Sequence, residues 1–306
     1  MSENDVTKAI LVTGAGGQLG TELQRCAWPE GYEVVAVDVD TLDLTDTAAI
    51  AAKVNEREWA AVINGAAYTA VDKAESDLVT CWAVNAMAPA AFAESCVKAG
   101  IPLVQVSTDY VFAGDKDGAW EVNDPVAPLG VYGASKLGGE LAVRTSGVRH
   151  AIVRTAWVVS AHGNNFVKTM LRVGATCDQL SVVADQHGSP TSAADLAGAL
   201  MTITLRLIED ADAPTGTFHF SNAGATHWAG FATEIFAQSA ARGGARAEVV
   251  PIPSSAYPTP AMRPANSLLS HDAIRAAYGI APRPWQAALS DILDELIGTP
   301  AKEQDA

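Results

Sequence analysis

Several absences narrow the class of this chain before any motif is considered. Of 306 residues only four are cysteine, Cys26, Cys81, Cys96 and Cys177, and no two stand as Cys-x-x-Cys. Such spacing argues against a disulfide framework or a zinc ribbon and fits buried thiols in a reducing compartment. None of His150, His162, His187, His219, His227 and His271 pairs at zinc-ligand spacing, so no metal is expected in the chemistry itself. Long apolar runs are also missing, and nothing approaches the roughly 20 residues that cross a bilayer. The start, Met1-Ser2-Glu3-Asn4-Asp5, has no basic segment leading into an apolar stretch and does not read as a signal peptide. The expectation is a soluble, cytoplasmic protein with no membrane partner. Positive charge is scarce: 20 Lys and Arg stand against 35 Asp and Glu, a net charge of -15. A surface of that sign repels a phosphate backbone, which argues against nucleic-acid binding as a general role. A small anionic ligand remains open, because a helix N-terminus and one or two arginines can hold a pyrophosphate locally. Internal repeats and low-complexity tracts are absent.

What is present is an alternation. Short β-branched runs at Ala9 to Thr13, Glu33 to Asp38 and Ala61 to Asn64 are separated by helical stretches at Gln18 to Cys26 and Thr47 to Asn55. A helix through Leu78 to Ala99, a strand at Leu103 to Ser107, a helix over Val131 to Arg144 and a strand at Ala151 to Trp157 continue the rhythm. This pattern predicts a parallel sheet covered by helices on both faces. After Trp157 it loosens into a helix from Asn165 to Gly174, a strand near Leu180 to Ala184, and an alanine-rich helix from Ser192 to Glu209. A strand at Gly216 to Ser221 and a helix from Trp228 to Arg242 follow. Five prolines between Pro251 and Pro264 predict an irregular loop bordering a site or a lobe. Residues 299–306, small or polar, read as a frayed end. The fold class expected is α/β, a Rossmann-like doubly wound parallel sheet with a smaller, discontinuous α/β substrate lobe. Residues 1–158 and 192–222 would form the dinucleotide-binding part, and 159–191 with 223–306 the substrate lobe.

The first strand runs directly into Gly14-Ala15-Gly16-Gly17-Gln18-Leu19-Gly20, in which glycines 14, 17 and 20 form G-x-x-G-x-x-G. Without Cβ atoms the backbone turns tightly and approaches a pyrophosphate, whose charge meets the unsatisfied N–H groups at the start of a helix. A glycine trio alone is also what any tight strand-to-helix turn requires. Here a strand precedes it, a helix follows, and Asp38 stands at the end of the second strand, where a carboxylate can accept from the adenosine ribose hydroxyls. Asp38 leans the cofactor toward NADH without excluding NADPH. Asp43 and Leu44 are candidate adenine contacts. Asn64-Gly65-Ala66-Ala67-Tyr68-Thr69 supplies small residues where the chain passes the cofactor, so Ala66, Ala67, Tyr68 and Thr69 join Gly14, Gly17, Gln18, Leu19 and Gly20 in the predicted set.

Tyr132 and Lys136 are spaced as Tyr-x-x-x-Lys within a predicted helix, which puts both side chains on one face. A ketone that accepts a hydride develops alkoxide character and needs a proton donor. A tyrosine with a pKa of about 10 serves near neutrality only with electrostatic help. A neighbouring ammonium supplies that help and can also bind the nicotinamide ribose. Upstream, the strand Leu103 to Ser107 ends in Thr108-Asp109-Tyr110 at the carboxyl edge of the sheet, the edge where doubly wound folds bind ligands. Thr108 is the preferred hydroxyl for polarising the carbonyl, with Ser107 as its competitor.

Together with Thr13 to Gly20, Asn64 to Asp72, Ser107 to Phe112 and Tyr132 to Lys136, the segments Arg154 to Trp157, Asn165 to Met170 and Asp185 to Thr191 resemble the dTDP-4-dehydrorhamnose reductase family over nearly the whole chain. The stretches Ala67 to Glu75 and Arg263-Pro264-Ala265-Asn266-Ser267 point to this reductase among the extended short-chain dehydrogenases. The resemblance implies reduction of dTDP-4-dehydro-L-rhamnose to dTDP-L-rhamnose, a donor for bacterial surface polysaccharide, with NADPH or NADH. It implies proton donation by Tyr132, cofactor and pKa support from Lys136, and carbonyl polarisation by Thr108. Asp109 and Trp157 would be sugar contacts, and Asn165, Phe166 and Arg263 would meet the diphosphate. Ala113 departs from the family, which usually has an acid after Val-Phe. Some members hold magnesium through acids at a homodimer interface, and Glu22, Asp195 and Glu295 stand at comparable places. Exposed carboxylates are more often solvated than ligands, so no metal is assigned. Two rivals remain: a nucleotide-sugar epimerase or dehydratase of the same fold, and a non-catalytic dinucleotide-binding subunit. Thr108-Asp109 lacks the following glutamate a dehydratase would want, and Tyr132 and Lys136 are both intact, which favours the reductase.

Overall fold

The structure, a computed structural model, describes residues 7–300. The polar start and most of the frayed end expected from the sequence lie outside the described residues. Five strands, β1 (Lys8–Thr13), β2 (Tyr32–Val37), β3 (Ala61–Asn64), β4 (Leu103–Thr108) and β5 (His150–Thr155), join β10 (Gly216–His219) in one all-parallel sheet. Its order is β10-β5-β4-β3-β1-β2. The chain leaves β1 toward β2 and returns on the other side to β3, so the order reverses beside β1 and a crevice opens there at the carboxyl edge.

Both faces of the sheet are covered, which is why its strands are apolar throughout rather than alternating. Ile10 and Val12 point with Ile63, Val104, Ala151 and Val153 into a core shared with α1 (Gln18–Arg25) and α8 (Ala193–Glu209). Leu11, Val62, Leu103 and Ile152 point the other way, onto Ile50 of α2 (Thr47–Asn55) and Phe92 and Cys96 of α5 (Ala88–Ala99). A short turn of helix, α3 (Val71–Ala74), precedes α4 (Leu78–Trp82), and a π-helical turn at Ala83–Met87 joins α4 to α5. The single helix predicted there is therefore continuous but widened by one turn. Helix α6 (Val131–Thr145) lies on the same side.

Beyond β5 a second packed cluster forms. The short β6 (Val158–Val159) pairs with β9 (Thr191–Ser192), and β8 (His187–Gly188) pairs with β11 (Thr226–His227). Strand β7 (Gln179–Val183) pairs in parallel with β12 (Glu248–Ile252). Around them α7 (Phe166–Gly174), α9 (Trp228–Ala240) and α11 (Trp285–Ile297) bury Val167, Phe231, Ile235, Trp285, Leu289 and Leu293. The expectation that prolines exclude regular structure from Pro251 onward is corrected here. Pro251 sits in β12 opposite Val182, and a two-stranded ribbon has only edge strands, which tolerate a missing donor. Helix α10 (Asp272–Tyr278) returns to the main sheet, placing Ile274 in the first core and Tyr278 edge-on to Phe218. Among the described residues no helix is long and apolar enough to cross a membrane.

Candidate active site

The glycine loop lies where β1 meets α1. Gly20 has to be glycine: a Cβ there would stand 1.9 Å from the Gly14 carbonyl oxygen. Gly17 caps α1 without a side-chain hydrogen bond, so the first amides of the helix stay available to an anion. The fit to a dinucleotide continues on both sides of the loop. A cleft of about 560 Å³ is lined by Gly14, Gly17, Gln18, Leu19 and Gly20 together with Thr108, Asp109, Tyr132 and Lys136. A second pocket of about 410 Å³ shares Gly14, Asp38, Ala66 and Ala67 with it and is lined further by Asp43, Leu44 and Tyr68. Thr69 lines the first. Asp38 is folded inward, its carboxylate accepting from Gly16 N at 2.6 Å and from Val39 N at 2.8 Å.

Tyr132 and Lys136 occupy consecutive turns of α6. The helix is pinned to the sheet by a buried ion pair that sequence reasoning missed: Arg154 of β5 donates through Nε and Nη2 to the two oxygens of Glu140 at 2.8 and 2.7 Å. Ser107 donates to the same carboxylate at 2.7 Å. Ser107 turns toward α6, whereas Thr108 lies near the Tyr132 phenol; both residues line the cleft. Thr108 gives its own hydrogen to Asp109 Oδ1 at 2.9 Å and accepts from Tyr110 N at 3.2 Å. A threonine has one hydroxyl hydrogen. That hydrogen is directed at Asp109, and the Thr108 hydroxyl lines the cleft near Tyr132.

Burial shapes the charges. It pushes the Tyr132 phenol well above its ordinary value, with the neighbouring Thr108 hydroxyl pulling the other way. Lys136 Nζ donates to the Val106 carbonyl at 2.7 Å, and burial lowers its pKa to about 8 despite the attraction of Glu140. Asp109 is raised to about 6 by burial, against the pull of the nearby Ser267 and Thr108 hydroxyls; Thr108 bonds one of its oxygens, and the other has no partner. Asn85, in the π turn, accepts from Tyr68 N at 2.9 Å and donates to Ser135 Oγ at 3.1 Å, joining the Asn64 to Thr69 loop to α6. No motif flags it, although π turns recur at functional sites.

Trp157 lines the cleft and is the one non-glycine residue with positive φ among those described, at 50°. Its indole stacks on Trp228 at 3.7 Å between centroids, and a Cβ on Gly188 would come within 2.7 Å of its ring. The strand predicted to reach Trp157 ends at Thr155 for this reason. The other substrate candidates are placed differently. Asn165 caps α7, accepting from Lys168 N and donating to the Gln18 side chain, Ser160 O and His162 O. Phe166 packs on Trp228 and Phe231. Arg263 is held 2.8 Å from Asp72. None of the three lines the cleft. Gln18 spends its amide on the second lobe, donating to Val158 O at 3.3 Å and accepting from Ser160 and Asn165.

The acids considered for magnesium do not assemble as a set. Glu22 and Glu295 approach each other with His162, but Arg25 stands among them, 2.7 Å from Glu295 and 3.7 Å from Glu22. Its guanidinium supplies the positive charge, and Asp195 is elsewhere, bound to Asn222 and Arg283. These residues do not fit a hard cation that demands near-octahedral oxygen ligands.

Comparison with known proteins agrees with the geometry. The family described as RmlD substrate binding domain matches residues 8–297. A dTDP-4-dehydrorhamnose reductase of Burkholderia thailandensis is 42% identical over 295 residues, 94% of this chain and 99% of the relative. The crystal structure of a dTDP-4-dehydrorhamnose reductase from Clostridium acetobutylicum superposes with a TM-score of 0.87 at 39% identity, covering 94% of this chain and 99% of that one. The Bacillus anthracis enzyme, solved in complex with NADP, gives 0.87 at 36% with the same coverage. With a glycine cradle, a Tyr-x-x-x-Lys helix and relatives matched along almost their entire length, this chain belongs to the dTDP-4-dehydrorhamnose reductase family.

Proposed function

We propose that the chain reduces the 4-keto group of dTDP-4-dehydro-L-rhamnose to give dTDP-L-rhamnose, using NADPH or NADH, in the cytoplasm. The observation that carries this reading is the meeting, in one cleft, of the glycine loop with Tyr132, Lys136, Thr108 and Asp109. When bound, the reduced nicotinamide supplies the hydride. The chain's own residues supply everything else. Tyr132 gives its phenolic proton to the carbonyl oxygen as charge develops there, completing the alcohol. Thr108 stands beside the phenol at the carbonyl, and Asp109 orients Thr108 by taking its hydrogen. Lys136 is poised for the cofactor ribose and keeps a positive charge beside the reacting oxygen. The free oxygen of Asp109 and the ring of Trp157 serve as sugar contacts, one accepting a hydroxyl and the other covering an apolar edge.

The division of labour follows the packing. Residues 7–158 and 192–222 form the cofactor part, and 159–191 with most of 223–300 form the substrate lobe, with α10 packed against the cofactor part. Asp38 disfavours a 2′-phosphate beside its carboxylate, whereas the Bacillus anthracis relative was solved in complex with NADP, so both cofactors stay within the reading.

The test is absorbance of the reduced nicotinamide with purified protein and dTDP-4-dehydro-L-rhamnose made in situ. The expected outcome is stoichiometric oxidation, with a product two hydrogens heavier. Cofactor binding without oxidation would instead favour another nucleotide sugar or a regulatory subunit, and sugar conversion without net oxidation would favour an epimerase.

A further inference from the structure

Two side-chain oxygens lining the cleft are buried without a hydrogen-bond partner: Asp109 Oδ2 and Thr155 Oγ1. Asp109 is accounted for by the proposed sugar contact, but Thr155 has no role so far. It ends β5, in register with Thr108 on β4, and is 6% exposed. A buried hydroxyl with nothing to bond costs stability, and natural chains seldom keep one without a reason.

The face of the sheet tells which ligand this hydroxyl awaits. Alternation along β5 puts Ala151 and Val153 in the core under α1 and α8, and Thr155 follows them on that face. Ile152 and Arg154 point the other way, Arg154 to Glu140 of α6. Thr155 thus looks toward Leu19 and Leu196, on the side of the glycine loop, and these residues line the cleft with it. The loop at β1 takes a pyrophosphate, and the pocket with Asp43 and Leu44 lies toward β2. The remaining end of a dinucleotide lying across the edge must run past β3 and β4 to β5. Around Thr155 the cleft offers Val106, Ala156, Val158 and Leu196, all apolar. Thr155 is the polar group within this apolar surround. A hydroxyl both donates and accepts, which suits a primary carboxamide, a group that also does both. Asp109, acceptor-only when ionised, does not.

We propose that Thr155 is a positioning residue whose hydroxyl binds the carboxamide of the nicotinamide ring and so fixes the ring's rotation over the substrate. This rests on the reading that the chain binds NAD(P)H, and the experiment separates the two. Thr155→Val keeps the shape and removes the hydroxyl. Kd for NADPH and for ADP-ribose, which lacks the nicotinamide, would be measured by titration alongside the Tm of the free protein. The expected result is a Tm equal to or above that of the parent, an NADPH Kd raised about tenfold, an unchanged ADP-ribose Kd, and recovery in Thr155→Ser. A lower Tm with both ligands weakened alike would overturn the proposal by making the hydroxyl structural. NADPH affinity equal to the parent's would overturn it directly, as would a loss confined to the nucleotide sugar. Failure of the parent protein to bind NADPH at all would instead sink the functional reading on which the proposal depends.

Discussion

The cofactor side and the substrate side of the cleft are built differently. On the cofactor side recognition is local: seven consecutive residues, Gly14 to Gly20, make a cradle from backbone, and their spacing between a strand and a helix points to it. On the substrate side the wall is assembled from single side chains far apart in sequence, including Asp109, Trp157 and Trp228. Three further residues expected there, Asn165, Phe166 and Arg263, cap a helix, pack on aromatic rings and pair with Asp72. A backbone site is therefore written in the order of residues, whereas a side-chain site is written in the packing that gathers them.

The largest effect should come where the two sides meet. Tyr132→Phe should lower kcat by about a thousandfold, the middle of the range for a lost general acid, while leaving the Kd for NADPH within twofold. Turnover near that of the parent would remove the tyrosine from the chemistry and leave the contrast without a centre. Next is the scaffold beneath both sides. Removing Glu140 leaves Arg154 charged and unpaired in the core, so Glu140→Ala should cost about 3–5 kcal/mol in urea unfolding. A loss below about 1 kcal/mol, the level of an exposed pair, would mean that α6 is held by something else.

The pH profile sharpens the comparison further, since each side contributes one limb. Lys136, lowered by burial to about 8, loses its positive charge as pH rises through that value. Asp109, raised to about 6, gains a proton as pH falls through that one. kcat/KM should therefore form a bell between them, and Asp109→Asn should erase only the acid limb. A profile flat from pH 5 to 9 would disconnect both groups from turnover. The smallest effect concerns the residue whose role changed most. Asn165→Ala should cost about 1 kcal/mol of stability as a lost helix cap and leave the KM for the nucleotide sugar within twofold. A tenfold rise in KM at unchanged stability would return Asn165 to the diphosphate.

Much of the first half was legible because local rules and tertiary packing agree there. Strands β1, β3 and β4 and helix α2 fall within a residue of their expected bounds, since fully buried parallel strands leave unbroken apolar runs between caps. The second half was harder for physical reasons. Pro251 breaks the usual pattern of a strand but not an edge strand's hydrogen bonding. Helix α11 went unread although Trp285, Ala288, Leu289, Ile292 and Leu293 recur at helical spacing. Thr155 and Asn85 belong to no motif, and their interest arises only from an unmet hydrogen bond and a π turn, neither visible in one dimension. Asp43, Leu44 and Tyr68 were placed by the rhythm of strand ends and do share one pocket.

Gln18 connects the two sides in a way that bears on how ligands would influence each other. It begins the helix whose amides face the cofactor, yet its side chain holds β6 and the cap of α7. A nucleotide that settles the first turn of α1 therefore also settles the entrance of the second lobe. Such a linkage is reciprocal by thermodynamic necessity: whatever factor the cofactor adds to the affinity for the sugar, the sugar returns to the cofactor. One amide can then decide whether the two ligands bind as strangers or as a pair, and cutting it with Gln18→Ala should shrink whatever factor they share.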